Sequence, residues 1–365
     1  MHKLLLLLFL FSFTANGQYV AVSGKNIQNT KGTNLTIKGV NTDPYQHNWT
    51  TWWSLSNANF KSDLVLRLAA WDSLNINVVR TMIDTGGVQH ANFTANFATL
   101  IDTLKDRGLY LMAELFVWAK PPGQHASDTT TVERCQALYN TFVNAYDTDT
   151  TIFSWGIRQE SYNALYSLRF PQAECDSMIL WHKRLYDWVR GIDANHLIVH
   201  SCDPYNQFKT FEASIGTYTM SQLNDYSAIE FYKDPMDWDG TNYGDQTTYN
   251  GESFVETGFL DYLEFMRTSK GRGMAGKPII VTEIGERNGQ NPTYTEQIQL
   301  EFYNVMGKIF NSNEINGIVI WTDKNSYNTG SNYMYGLADS LGNLLPSGHW
   351  YRNWTLGSEI YDIWK

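Results

Sequence analysis

The sequence predicts an α/β fold, a (β/α)8 TIM barrel in one domain behind a small N-terminal β-hairpin. Short apolar runs alternate with longer amphipathic stretches along nearly the whole chain, the pattern of a parallel sheet with helical crossovers. Eight such runs follow the hairpin, and eight units in one body close into a barrel. No Pro-, Ser- or Gly-rich linker and no low-complexity tract divides them, so residues 18–365 read as a single domain.

Residues 1–17 stand outside that plan. Met1, His2 and Lys3 precede an apolar run from Leu4 to Phe13, and small residues follow at Ala15 and Gly17, the layout of a secretory signal peptide. The run is about half of what a ~30 Å hydrocarbon core requires of a helix, so the expectation is export, to a periplasm or to the exterior, with no membrane span. Tyr19 to Leu35 is expected as the hairpin, turning around Asn29 to Gly32.

The eight strands are then Thr36 to Asn41, Val78 to Met82, Tyr110 to Leu115, Ile152 to Gln159, Leu197 to Ser201, Ala228 to Tyr232, Ile279 to Glu283 and Gly317 to Trp321. Between them, Phe60 to Leu74 carries Leu64, Leu68 and Trp71 at helical spacing, and Phe93 to Arg107 meets Gly108, a C-terminal stop. Further helices are expected at Thr130 to Tyr146, Gln172 to Val189, Phe254 to Thr268 and Thr295 to Phe310, whereas the crossover from Ser201 to Ala228 holds at most a short one.

The formal net charge of −10 argues against nucleic acid and anionic membranes, which are held through clusters of Lys and Arg. A neutral ligand fits better. Aromatic residues make up 15% of the chain; most fill the core, but their faces also pack on the C–H faces of sugars. The three cysteines allow one disulfide at most, and Cys135 and Cys175, on helices flanking one strand, are the candidate pair. No H-E-x-x-H pattern or paired histidine spacing supports a catalytic metal, and neither G-x-G-x-x-G after a strand nor G-x-S-x-G is present, so no cofactor is expected. Asp234, Asp237, Asp239 and Asp245 lack EF-hand spacing and read as a solvated loop.

Barrel chemistry gathers at the C-terminal ends of the strands. There the fourth strand runs into Gln159-Glu160 and the seventh into Thr282-Glu283. Two carboxyl groups about 5–5.5 Å apart can split a glycosidic bond with retention, one protonated and the other ionised, if their surroundings drive their pKa values apart. Arg80 and Tyr232, closing the second and sixth strands, are candidate donors to the ionised partner.

In this order, Ile37-Lys38-Gly39-Val40-Asn41, Asn77-Val78-Val79-Arg80, Trp155 to Glu160, Thr282-Glu283-Ile284-Gly285 and Trp321, with the tail Tyr335 to Asn343, resemble clan A glycoside hydrolases, closest to family 5. The resemblance runs from Lys38 to Pro346. It implies a retaining hydrolase of a β-linked carbohydrate, a β-glucan or β-mannan, with Glu160 as acid/base and Glu283 as nucleophile; a monomer is expected. It implies too that Arg80 and Tyr232 hold the nucleophile and that Trp321 lies under the sugar.

The chain departs from that pattern at Gln159, where asparagine is usual, and at Glu114 and Glu230 on strands three and six, where histidines are usual. Both glutamates make the cleft more acidic. Trp118 and Trp238, and Trp49, Trp52 and Trp53, lie in the loops after strands three, six and one, as sugar platforms or as packing. The departures leave an alternative: a carbohydrate-binding protein with little or no catalysis on a hydrolase-like barrel.

Overall fold

The computed structural model describes residues 19–42, 49–116, 129–158, 172–202, 223–232, 276–285, 296–312, 315–324 and 336–355. The expected leader, residues 1–17, lies outside them, as does the expected helix from Phe254 to Thr268. Among the described residues no helix is long and apolar enough to cross a membrane.

The chain opens with an antiparallel pair, β1 (Ala21–Ser23) and β2 (Asn26–Gln28). The hairpin turns at Gly24-Lys25, earlier than its sequence suggests; Asn29 to Gly32 forms a second turn closed by a bridge between Gln28 and Asn34. The Asn29 side chain accepts from the amides of Lys31 and Thr33 and holds that second turn.

Eight parallel strands follow: β3 (Ile37–Asn41), β4 (Val78–Asp84), β5 (Tyr110–Phe116), β6 (Ile152–Arg158), β7 (Leu197–Cys202), β8 (Ser227–Tyr232), β9 (Ile279–Gly285) and β10 (Gly317–Ile320). They pair in chain order, and β10 pairs with both β9 and β3 to close the ring. This is a (β/α)8 barrel. The eight expected strands match it to within a few residues at each end.

Outside the ring lie α1 (Trp49–Ser54), α2 (Asn57–Leu74), α3 (Thr85–Val88), α4 (Phe93–Asp106), α5 (Thr129–Ala145), α6 (Gln172–Ile192), α7 (Glu296–Ser312) and α8 (Pro346–Asn353). In α4 the buried positions Phe93, Phe97, Leu100, Ile101 and Leu104 recur at helical spacing, which turns one stripe onto the sheet. The helix ends where Gly108 takes φ +65°, with its amide on Lys105 O at 3.1 Å and that of Leu109 on Leu104 O at 2.9 Å. That double bond is a Schellman closure.

Alternation along the strands sorts the core in two. Val79, Leu111, Ala113, Trp155, Ile198, Ile229, Val281 and Ile320 face outward to the helices. Ile37, Val78, Met112, Phe153, Val199, Ala228, Ile280 and Val319 face inward, and Val20 and Ile27 of the hairpin join them from below. The barrel therefore has an apolar floor, plugged at the N-terminal ends of its strands. The next inward positions up are polar.

Trp52 and Trp53, expected in a loop over the mouth, are fully buried in α1 instead. They pack against each other at a tilt, and Trp53 stacks on Phe60, with indole N–H groups donating to Asp63 and to Met82 O at 2.9 Å each. They are packing, not platforms. Trp155 is core as well, its indole bonded to Asp193 at 2.6 Å. Cys135 is buried on α5, while the side chain of Cys175 lies outside the described residues.

Candidate active site

One step above the floor, four strands aim polar side chains at a single guanidinium carried by a fifth. Arg80 of β4 is fully buried. Its Nε donates to Glu114 Oε1 of β5 at 3.0 Å, and its Nη1 donates to Asn41 Oδ1 of β3 at 2.8 Å and to Glu283 Oε1 of β9 at 2.5 Å. Nη2 stands 3.7 Å from Glu230 Oε1 of β8, an ion-pair distance rather than a hydrogen bond. Asn41 also donates from Nδ2 to Thr282 O at 3.0 Å, which fixes its amide orientation and ties the first barrel strand to the seventh.

Register explains the convergence. Arg80 pairs with Met112 and Met82 with Glu114, so Glu114 sits one inward position higher on the neighbouring strand and can reach back to Nε. Glu230 pairs with Glu283 directly, after a shift between Ile229 and Glu230 that turns both carboxylates inward. At Gly156 of β6 a Cβ would lie 1.9 Å from Glu114 Oε2, so only glycine leaves room for that carboxyl group.

Charge dominates the layer, since Glu114, Glu230 and Glu283 face one guanidinium with at most 2% exposure. Burial works against the Arg80 charge, but the carboxylates of Glu114, Glu283 and Glu230 outweigh it and hold its proton above the usual arginine range. Burial pushes the Glu114 carboxyl up; Arg80 opposes the rise, the charge of Glu283 adds to it, and the net displacement is upward. Burial raises the Tyr226 phenol too, while its hydroxyl stays within 3.0 Å of Ser154 Oγ.

Trp321 follows β10 at 8% exposure, its amide bonded to Ile284 O at 2.8 Å, and the Trp321–Thr322 peptide is cis. The residues after it are anchored from behind. Asp323 accepts from Arg67 Nη1 at 2.9 and 3.1 Å and from Trp71 Nε1 at 3.0 Å, and its amide donates to Asn41 O at 3.0 Å. Arg67 Nε reaches Asp63 at 2.7 Å, and Lys324 Nζ lies 3.5 Å from the same carboxylate. Two acids and two bases thus neutralise one another between α2 and the loop that carries Trp321.

Of the residues singled out from sequence, Arg80, Glu114, Glu230 and Glu283 come together here, with Trp321 at the end of β10 in the same ring. Gln159, Glu160, Trp118 and Trp238 lie outside the described residues, as does the Tyr232 side chain, whose strand position pairs with Gly285. Sequence reasoning missed Asn41 as a partner of Arg80, Gly156 as the space for Glu114, and the whole Asp63–Arg67–Asp323–Lys324 cluster. Asn41 closing a strand, and Asp63 and Arg67 four apart on a helix, were the available signals. Among the described residues no group of His, Cys, Asp and Glu could hold a metal ion.

No family model matches the chain, and no curated protein matches it. Solved structures do. A calcium-binding mutant of Bacteroides uniformis β-glucuronidase 2 aligns with 90% of this chain and 35% of its own at 14% identity, TM-score 0.61. Thermotoga maritima β-glucosidase in complex with azafagomine aligns with 87% of this chain and 97% of its own at 13% identity, TM-score 0.60. Parabacteroides merdae β-glucuronidase aligns with 92% of this chain and 39% of its own at 10% identity, TM-score 0.56. The likeness is one of fold: a TIM barrel of the kind these glycosidases use, spanning about a third of the first-named enzyme's length.

Proposed function

We propose that the chain is an exported, monomeric β-glycoside hydrolase of the clan A type, closest to family 5, that cleaves a β-linked polysaccharide of the glucan or mannan kind with retention. The observation that carries this reading is Glu283 at the mouth end of β9, held 2.5 Å from Arg80 Nη1 above an apolar floor. A nucleophilic carboxylate has to stay ionised and fixed in direction, and a buried guanidinium bonded to one of its oxygens does both. The other oxygen is then the one that attacks the anomeric carbon.

In this reading Glu160 protonates the leaving oxygen and then draws a proton from the water that resolves the glycosyl–enzyme ester. Gln159 reaches the sugar hydroxyls, Tyr232 adds a donor to Glu283, Trp321 supports the ring from below, and Trp118 and Trp238 extend the cleft. The glycosidase names of the structural neighbours support the reaction class, and no cofactor enters it.

A 2-fluoro glycoside, which slows the breakdown of the ester, tests the assignment directly. Peptide mass spectrometry should find the label on Glu283. A screen across soluble β-glucans and β-mannans, with Glu283→Ala as the blank, names the sugar. Binding with no turnover above that blank would replace the hydrolase with the carbohydrate-binding reading that the extra acids Glu114 and Glu230 suggest.

A further inference from the structure

Glu114, one of the two acids at which the chain departs from the hydrolase pattern, carries a buried oxygen with no hydrogen-bond partner among the described residues. We propose that Glu114 works as a neutral carboxylic acid, a positioning residue that keeps Arg80 aimed at Glu283 without competing for its charge. The proposal deepens the hydrolase reading and rests on it for its kinetic consequences, although the protonation state can be read without any turnover.

The geometry separates the roles of the two oxygens. Glu114 Oε1 accepts a hydrogen bond from Arg80 Nε–H at 3.0 Å, as a carbonyl oxygen would. Oε2 is turned over Gly156, fully buried, with no hydrogen-bond partner among the described residues. A charged oxygen in that place would lose its hydration with nothing in return, whereas a neutral O–H there loses much less.

The groups facing Glu114 explain why the proton belongs there. Arg80 faces it from β4, Gly156 and Ser154 from β6, Tyr226 from the segment before β8, and Glu230 and Glu283 from β8 and β9 across the barrel. Arg80 is the cation among them. Ionising Glu114 would add a further negative charge to a buried layer in which Glu230 and Glu283 already stand against the same guanidinium. Glu283 makes the shortest bond to Arg80. Burial and the charge of Glu283 both push Glu114 toward its protonated form. The acid then fixes one edge of the guanidinium and leaves Nη1 to Asn41 and Glu283.

Difference infrared spectroscopy on the whole chain tests this. At neutral pH the wild type should show a carboxylic-acid C=O band that shifts in heavy water and is missing in Glu114→Gln. The amide replaces a neutral acid of nearly the same shape, so the variant should also fold. A spectrum with the same carboxylic-acid bands in both proteins overturns the proposal, and so does a Glu114→Gln protein that cannot fold.

Kinetics supplies the positioning half, on whichever β-glycan is turned over. Glu114→Ala should lower kcat roughly 10- to 100-fold with KM within about twofold, the cost of losing a partner one shell out from the reacting group. Glu114→Gln should recover most of that loss. Equal losses in the two variants would mean that the ionised carboxylate is required, and the proposal fails. If the wild type turns over no glycan at all, the hydrolase reading falls, and the infrared band still decides the state of Glu114.

Discussion

Arg67→Met should destabilise the protein by about 3–5 kcal/mol, the range for breaking a buried ion pair by removing one partner. Arg67 is 1% exposed and donates three hydrogen bonds to carboxylates, one to Asp63 at 2.7 Å and two to Asp323 at 2.9 and 3.1 Å. At roughly 1.5–3 kcal/mol for each bond to a charged group, the gross loss would be ~4.5–9 kcal/mol. Two features reduce it. Methionine keeps most of the aliphatic stem, although not the guanidinium 5.3 Å over the Trp52 ring, and Lys324, 3.5 Å from Asp63, remains to compensate part of the stranded charge.

The remainder is a large share of the ~5–15 kcal/mol that holds a typical domain together. Urea unfolding followed by tryptophan fluorescence at pH 7 should show a lower midpoint with an unchanged slope. The pH dependence has a definite sign. Burial raises the Asp63 carboxyl, but the charges of Arg67 and Lys324 more than offset it, and it titrates below its ordinary value. Its contribution is present at neutral pH and fades as the pH falls through that depressed value. The gap between wild type and variant should therefore narrow in acid. A loss under about 1 kcal/mol at pH 7, or a gap that widens toward acid, would refute this account of the cluster.

Three further outcomes follow from particular contacts. Arg80→Lys should cut kcat roughly 100-fold with little change in KM, because a single ammonium cannot serve Glu114, Asn41 and Glu283 together; steady-state kinetics on the identified glycan checks it. Burial pushes the Lys38 ammonium down to about 8 from 10.5, so the native state binds fewer protons than the unfolded chain between those values; urea midpoints should rise with pH across that window, and Lys38→Met should flatten the rise. Trp155→Phe should cost about 3 kcal/mol in the same unfolding assay, through lost volume and the broken 2.6 Å bond to Asp193, whose carboxylate keeps its contact to His196.

Much of the barrel was legible because several of its strands announce themselves twice, by an apolar run and by a polar residue near its end. Arg80 and Glu283 stood out for that reason, and their contact follows from closing eight strands into a ring. What Glu114 does was not legible. Its bond to Arg80 depends on a two-residue offset between β4 and β5, and its space depends on Gly156 one strand further on. Neither leaves a mark in the local pattern.

Tryptophans misled for a related reason. Residues 49–54 follow a strand and are rich in Trp and Thr, so they read as a loop over the mouth. They form a short helix instead, because the indoles of Trp52 and Trp53 find buried acceptors at Asp63 and Met82. Helix α2 hides its function in the opposite way. Asp63 and Arg67 lie on the same buried face as Phe60, Leu64, Leu68 and Trp71, where charges would ordinarily count against burial. Their partner Asp323 is 256 positions from Arg67. Only the fold brings the neutralising charges together.

The closure of β10 onto β3 also sets an order of events along the chain. The first and last barrel strands meet in register at Gly39 and Val319, so the ring cannot be sealed until the chain has been made as far as Val319. Arg80 and Glu283, 203 positions apart, face each other across that same ring. A nascent chain therefore has neither its final seam nor its charge-balanced centre while still emerging, and the two are completed together. The buried ion pair becomes a marker of completion: a chain shortened before Gly317 would leave the sheet with open edges and its central guanidinium without the enclosure that gives it its strength.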